Sequence, residues 1–85
     1  MDPLMLDGNA VAGVLQEVFA TEMTTALGTC NGCGASELLG SVHVYQGAGL
    51  VLRCQHCDAA LATIVKSDTD TWISLVGLRT LKIPT

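Results

Sequence analysis

The chain has 85 residues, of which 49% are hydrophobic and only 14% charged, and its net charge is −4. That is the length of one domain, too apolar to be disordered, with more apolar material than so small a core easily hides, which points to an interface as well as a fold. The basic residues Arg53, Lys66, Arg79 and Lys82 are few and scattered, which argues against a surface that binds nucleic acid by neutralising phosphates.

The opening, MDPLMLDGNA, has no basic residue ahead of its apolar stretch and does not read as a signal peptide. No stretch approaches the roughly 20 apolar residues of a membrane-spanning helix. The expected location is cytoplasmic, where thiols stay reduced.

Residues 7–19, DGNAVAGVLQEVF, read as an amphipathic helix. Ala10, Val11, Val14, Leu15, Val18 and Phe19 fall on one helical face. Asp7 is the expected N-cap, because its carboxylate can accept from free amides of the first turn. Gly8 and Gly13 each weaken the helix by about 1 kcal/mol against alanine. A helix of about 13 residues is marginal alone, so the stripe must pack on something. The following TEMTTALGT has no clear period and reads as an extended or frayed approach to Cys30.

SVHVY at 41–45 alternates, with Val42 and Val44 on one side and His43 and Tyr45 on the other. QGAG at 46–49 turns and LVLR at 50–53 returns. The expectation is a metal-binding hairpin over 30–57 that leaves one cysteine pair and arrives at the other. ALATIVK at 60–66 and TWISLV at 71–76 read as a second hairpin across SDTD at 67–70, where Ser, Asp and Thr can bond their own backbone. Leu78, Leu81 and Ile83 give the tail the spacing of an edge strand, so 60–83 reads as hairpin plus tail.

CNGCG at 30–34 and CQHCD at 54–58 are near-copies, and they hold the only cysteines of the chain. The pattern C-x2-C-x20-C-x2-C is that of a tetrahedral zinc site with Cys30, Cys33, Cys54 and Cys57 as ligands. Each Cys-x-x-Cys makes a tight turn with both sulfurs pointing one way. The residue after the second cysteine often takes a left-handed conformation, which suits Gly34 and is tolerated by Asp58. Two disulfides would need an oxidising compartment. An iron site of rubredoxin type uses the same sulfurs, but such chains are usually rich in core aromatics, and this one has only Phe19, Tyr45 and Trp72. A redox-active dithiol would open a helix in a βαβ unit, whereas ASELLG and strand-like sequence follow Cys33.

The remaining polar residues read plainly. His56 is expected to be a solvent-facing turn residue, since four cysteines already complete the shell. His43 is expected to be exposed on a strand, Asp68 and Asp70 to sit in a turn, and Glu17 and Glu22 on a solvated face. Gly-x-Gly at 32–34 and at 47–49 does not extend to a phosphate loop. No nucleophile–base arrangement supports an enzyme.

The segments LDGNA, EMT, TCNGCG, HVY, LRCQHC and GLRTL together resemble a small uncharacterised actinobacterial zinc-ribbon family, over most of the chain. The resemblance implies a fold and a metal and, because its members tend to be encoded beside flavin- or molybdopterin-dependent oxidoreductases, an accessory subunit of such a complex. It implies no activity of its own. Asp58 departs from the glycine of many zinc knuckles. The chain is therefore expected to be one small α+β zinc-ribbon domain, 1–85, with antiparallel hairpins around one structural zinc. It is expected to act as a non-enzymatic protein-interaction module. The candidate partner surface, for another protein or a second copy, is the stripe Val11, Val14, Leu15, Val18 and Phe19, or the C-terminal set Trp72, Leu78, Leu81 and Ile83. The alternatives are a rubredoxin-like electron carrier and, disfavoured by charge, a transcription-associated ribbon.

Overall fold

The computed structural model describes residues 5–84. Residues 1–4 and 85, which the expected domain includes and on which the leader reading partly rests, lie outside the described residues. Among the described residues, eight strands form two antiparallel sheets. They are β1 (Met5–Asp7), β2 (Leu27–Cys30), β3 (Ser36–Leu38), β4 (His43–Gln46), β5 (Leu50–Arg53), β6 (Ala60–Lys66), β7 (Thr71–Ser74) and β8 (Leu78–Lys82). The larger sheet has the order β1-β4-β5-β6-β7 and the smaller β3-β2-β8.

The amphipathic segment is less regular than its periodicity suggests. Gly8–Val11 is a 3-10 turn, and only Ala12–Phe19, here α1, is α-helical. Asp7 does cap the segment, accepting from the Ala10 amide at 3.0 Å, but it is also the last residue of β1. The tighter turn follows from that double duty. The chain must leave a strand and enter a helix within one residue, while the Gly8 amide stays bonded to the Val42 carbonyl at 3.0 Å. Ala20, at φ 58°, ends the helix in the left-handed region.

Alternation in β4 is as expected. Val44 faces Leu52 and Leu52 faces Ala62 in register, and all three are buried. Val11 and Leu15 join them in one core with Met23, Ala26, Leu39, Val42, Leu61 and Ile64. The opposite face carries Tyr45, Val51 and Thr63 in register. There the Arg53 guanidinium lies 5.7 Å from the Tyr45 ring centroid. His43 is half-buried rather than exposed, between Asp7 and Arg53 across the strands.

The stretch expected as one metal-binding hairpin, 30–57, divides between the sheets. β2 and β3 bracket the first cysteine turn in the smaller sheet; β5 and β6 bracket the second in the larger. The β4–β5 hairpin belongs wholly to the larger sheet, and a 3-10 turn at Leu39–Ser41 carries the chain across. β6 and β7 pair across Ser67–Asp70, where the Ser67 hydroxyl accepts from the Asp70 amide at 3.0 Å. The tail crosses back, so that β8 is an edge strand of the smaller sheet beside β2. Among the described residues, no helix is long and apolar enough to cross a membrane.

The return crossing depends on Gly77. Its amide donates to Leu61 O at 3.1 Å and its carbonyl accepts from the Asn31 amide at 2.8 Å, so it ties β6 to the first cysteine turn. A Cβ at Gly77 would lie 1.8 Å from Ala60 O, and that neighbour is backbone, which cannot swing aside. Gly77→Ala should therefore cost about 3 kcal/mol, the upper end for overpacking, read as a lower denaturant midpoint of the metal-loaded protein. An unchanged midpoint would show that the crossing is not fixed by this contact.

Candidate metal centre

The two cysteine turns are built alike. In the first, the Cys30 amide donates to Ala35 O and the Gly34 amide to Cys30 O, both at 2.9 Å. In the second, the Cys54 amide donates to Ala59 O and the Asp58 amide to Cys54 O, again at 2.9 Å. Closing each turn this way puts the residue after the second cysteine at positive φ, 80° for Gly34 and 61° for Asp58. The aspartate thus takes the left-handed conformation that the repeat demands, at a modest conformational cost. One amide in each turn aims at a sulfur: Gly32 N–H at Cys30 Sγ, 3.3 Å, and His56 N–H at Cys54 Sγ, 3.4 Å. Such donors stabilise thiolate.

The four sulfurs converge. Cys30 Sγ lies 3.6 Å from Cys57 Sγ, Cys33 Sγ lies 3.7 Å from Cys54 Sγ, and all four are within 4.8 Å of one another. All are free thiols, so the disulfide alternative does not describe this arrangement. A tetrahedron of sulfurs about 2.3 Å from a central ion has edges of about 3.8 Å. The close pairs match that edge. Cys30 and Cys54, the first cysteine of each turn, are buried at 1% and 3% exposure, while Cys33 and Cys57 face solvent. A metal here would be anchored in the core on one side and reachable on the other.

Electrostatics say what the set requires. The Cys33 amide, and after desolvation is counted against it the Gly32 amide, hold the Cys30 thiol down at about 7. At Cys33 the Ala35 amide works downward, but desolvation and the sulfurs of Cys54 and Cys30 leave it raised. At Cys57 the Ala59 amide also works downward, yet desolvation and the other three sulfurs push it up to about 12. Without a cation, Cys33 and Cys57 therefore keep their protons at neutral pH. A divalent ion removes that repulsion, since four thiolates bring −4 and the ion +2. The chemistry of the donor set fits one metal ion held by Cys30, Cys33, Cys54 and Cys57.

His56 is not one of the clustered donors. It is half-exposed and its Nε2–H donates to the Glu37 carboxylate on β3, so it is more than a free turn residue. Glu37 drew no attention in the sequence; its only signal there is an acidic residue shortly after the first turn. Arg53 also supports the second turn, with Nη1 donating to Asp58 O at 3.0 Å. Glu17 meets Lys66 Nζ at 2.6 Å on the surface, and Glu22 accepts from the Thr24 amide at 2.7 Å.

The two candidate partner surfaces fare differently. Val11 and Leu15 are core residues at 3% and 0% exposure, while Val14, Val18 and Phe19 are partly buried against that core. Leu78 and Leu81 also pack on it. Trp72, by contrast, is 65% exposed and pairs with the exposed Val65, while Ile73, Leu75 and Val76 are also exposed in β7 and the turn that follows.

A family model described as a family of unknown function, DUF6510, matches residues 2–85. No curated protein and no solved structure matches the chain.

Proposed function

The chain belongs to the DUF6510 family, a family of unknown function, and from that footing we propose that it is a non-enzymatic binding module, closed by one structural zinc and presenting an apolar surface to another protein. The observation that carries the metal half is the convergence of four sulfurs at tetrahedral spacing. Four protein ligands complete a tetrahedral shell and leave no position for a substrate, which is the signature of a structural rather than a catalytic site. Zinc is the ion that combines thiolate affinity with tetrahedral geometry and no redox chemistry; iron in the same shell would give a coloured electron carrier.

The association half rests on Trp72. Large exposed apolar side chains in a cluster mark docking surfaces on small proteins. Trp72 stands opposite Val65 in the β6–β7 register, so these two exposed apolar side chains share one face of the hairpin. Val11 and Leu15 are needed inside, so the surface belongs here rather than on the helix stripe. A net charge of −4 favours a protein over a nucleic acid as partner. Membership of a cytoplasmic oxidoreductase complex is the partner the family resemblance supports.

Trp72→Glu separates the two roles of apolar residues. At 65% exposure, Trp72 contributes little to folding, so the variant should melt within a degree or two of wild type. Wild type in host extract should elute in a complex larger than the free chain, and Trp72→Glu should not. Co-elution of both, or of neither, would overturn the proposed docking surface.

A further inference from the structure

We propose that Glu37 and His56 form a clamp across the two cysteine turns that slows departure of the metal. The inference rests on the metal reading above. Glu37 lies on β3, the strand that leaves the first turn, in the smaller sheet. His56 lies inside the second turn, between Cys54 and Cys57, which β5 and β6 hold on the larger sheet. Their side chains meet across that division, 19 positions apart in sequence.

His56 makes two bonds at once. Its amide donates to Cys54 Sγ at 3.4 Å, and its Nε2–H donates to the Glu37 carboxylate. One residue thus couples a ligand sulfur to the opposite sheet. The other hydrogen bonds of the second turn run between Cys54, Asp58 and Ala59 and from Arg53 Nη1 on β5 to Asp58 O, and none of these reaches the smaller sheet. The first turn is fastened differently, through Asn31 N–H to Gly77 O and Gly77 N–H to Leu61 O. Apart from the metal, the Glu37–His56 pair is the side-chain link, among the described residues, between the second turn and the strand that leaves the first.

The place of the pair matters. His56 and Glu37 are 50% and 31% exposed, like Cys33 and Cys57 and unlike the buried Cys30 and Cys54. A metal leaves a four-thiolate shell when a sulfur lets go, and the solvent-facing sulfurs are the ones a competitor can reach. Swinging Cys57 away carries its neighbour His56 with it, and that requires breaking the bond to Glu37. Exposed pairs are individually weak, so the clamp sets how fast the metal leaves rather than whether it binds.

The test mixes zinc-loaded full-length chain with an excess of a chromogenic zinc chelator and follows release. Glu37→Ala and His56→Ala should each release zinc about fivefold faster than wild type, the scale of one lost surface pair. The double variant should be no faster than either single one, because both remove the same link. Glu37→Gln keeps an oxygen that accepts from His56 and should stay near the wild-type rate, which a general loosening of the fold would not explain. Wild-type rates in both alanine variants, or a double variant whose acceleration is the product of the two, would overturn the clamp while leaving the metal reading intact. A wild-type chain that takes up no zinc would overturn the metal reading, and the clamp with it.

Discussion

Cys30→Ser loses both the metal and cooperative unfolding. Cys30 is 1% exposed and does two things at once: it is a member of the hydrophobic core and one of the four converging sulfurs. Serine keeps the size but offers a hard oxygen that neither ionises at neutral pH nor suits a soft thiolate site. Its hydroxyl is also buried where a thiol was comfortable. Metal binding in small zinc domains contributes on the order of 10–16 kcal/mol, whereas the whole stability of a domain is on the order of 5–15 kcal/mol. Losing the metal should therefore lose the fold. The measurement is zinc per chain together with a thermal melt. Cys54→Ser, at 3% exposure, should behave the same way. The exposed Cys57 offers a graded comparison: Cys57→Ser should lose tight metal retention but keep more residual structure, because no core contact goes with it. A Cys30→Ser chain with one zinc and a wild-type melt would show that the core sulfur is not a ligand.

Leu15→Glu should unfold the domain outright, even when zinc is supplied. Leu15 has 0% exposure and sits in the core with Val11, Val42, Val44 and Leu52. None of the residues of that core is charged, so a carboxylate there finds no cation to face. It must either stay ionised at a cost of several kcal/mol or take up a proton, and it also leaves leucine's own packing, worth about 2–5 kcal/mol, unfilled. The sum is comparable to the whole stability of a domain of this size. Val11→Glu, at 3% exposure, should do the same. Far-UV circular dichroism at stoichiometric zinc reads both. A folded Leu15→Glu chain would return the helix stripe to the list of candidate partner surfaces.

How much of this was legible in the sequence differs from element to element. The clustering of the four cysteines was, because two near-identical Cys-x-x-Cys turns at this spacing are the pattern of a single four-sulfur site. The left-handed residue after each turn was legible too, and Asp58 at φ 61° follows from the parallel with Gly34. β4 and β5 showed in their alternation. The division into two sheets did not show, because it is decided by long-range pairings: Gly28 with Leu81, and Asn31 with Gly77. No local pattern records which sheet an edge strand such as β8 will join. The helix stripe was read correctly as apolar and one-sided, but periodicity cannot say whether a face turns inward or outward. Burial of Val11 and Leu15 answers that, and of the C-terminal set it is Trp72, paired with Val65, that stays largely exposed, while Leu78 and Leu81 pack on the core. Glu37 was missed for a similar reason. A lone glutamate on a short strand acquires meaning only when His56 is brought against it from the other sheet.

The central claim is that four cysteines close around one zinc ion. Elemental analysis of the purified chain, joined to X-ray absorption at the metal edge, tests it directly. The account predicts about one zinc per chain with four sulfur neighbours at about 2.3 Å and no light-atom ligand. A chain that folds without metal, a red protein carrying iron, or a shell with nitrogen or oxygen in place of one sulfur would contradict it.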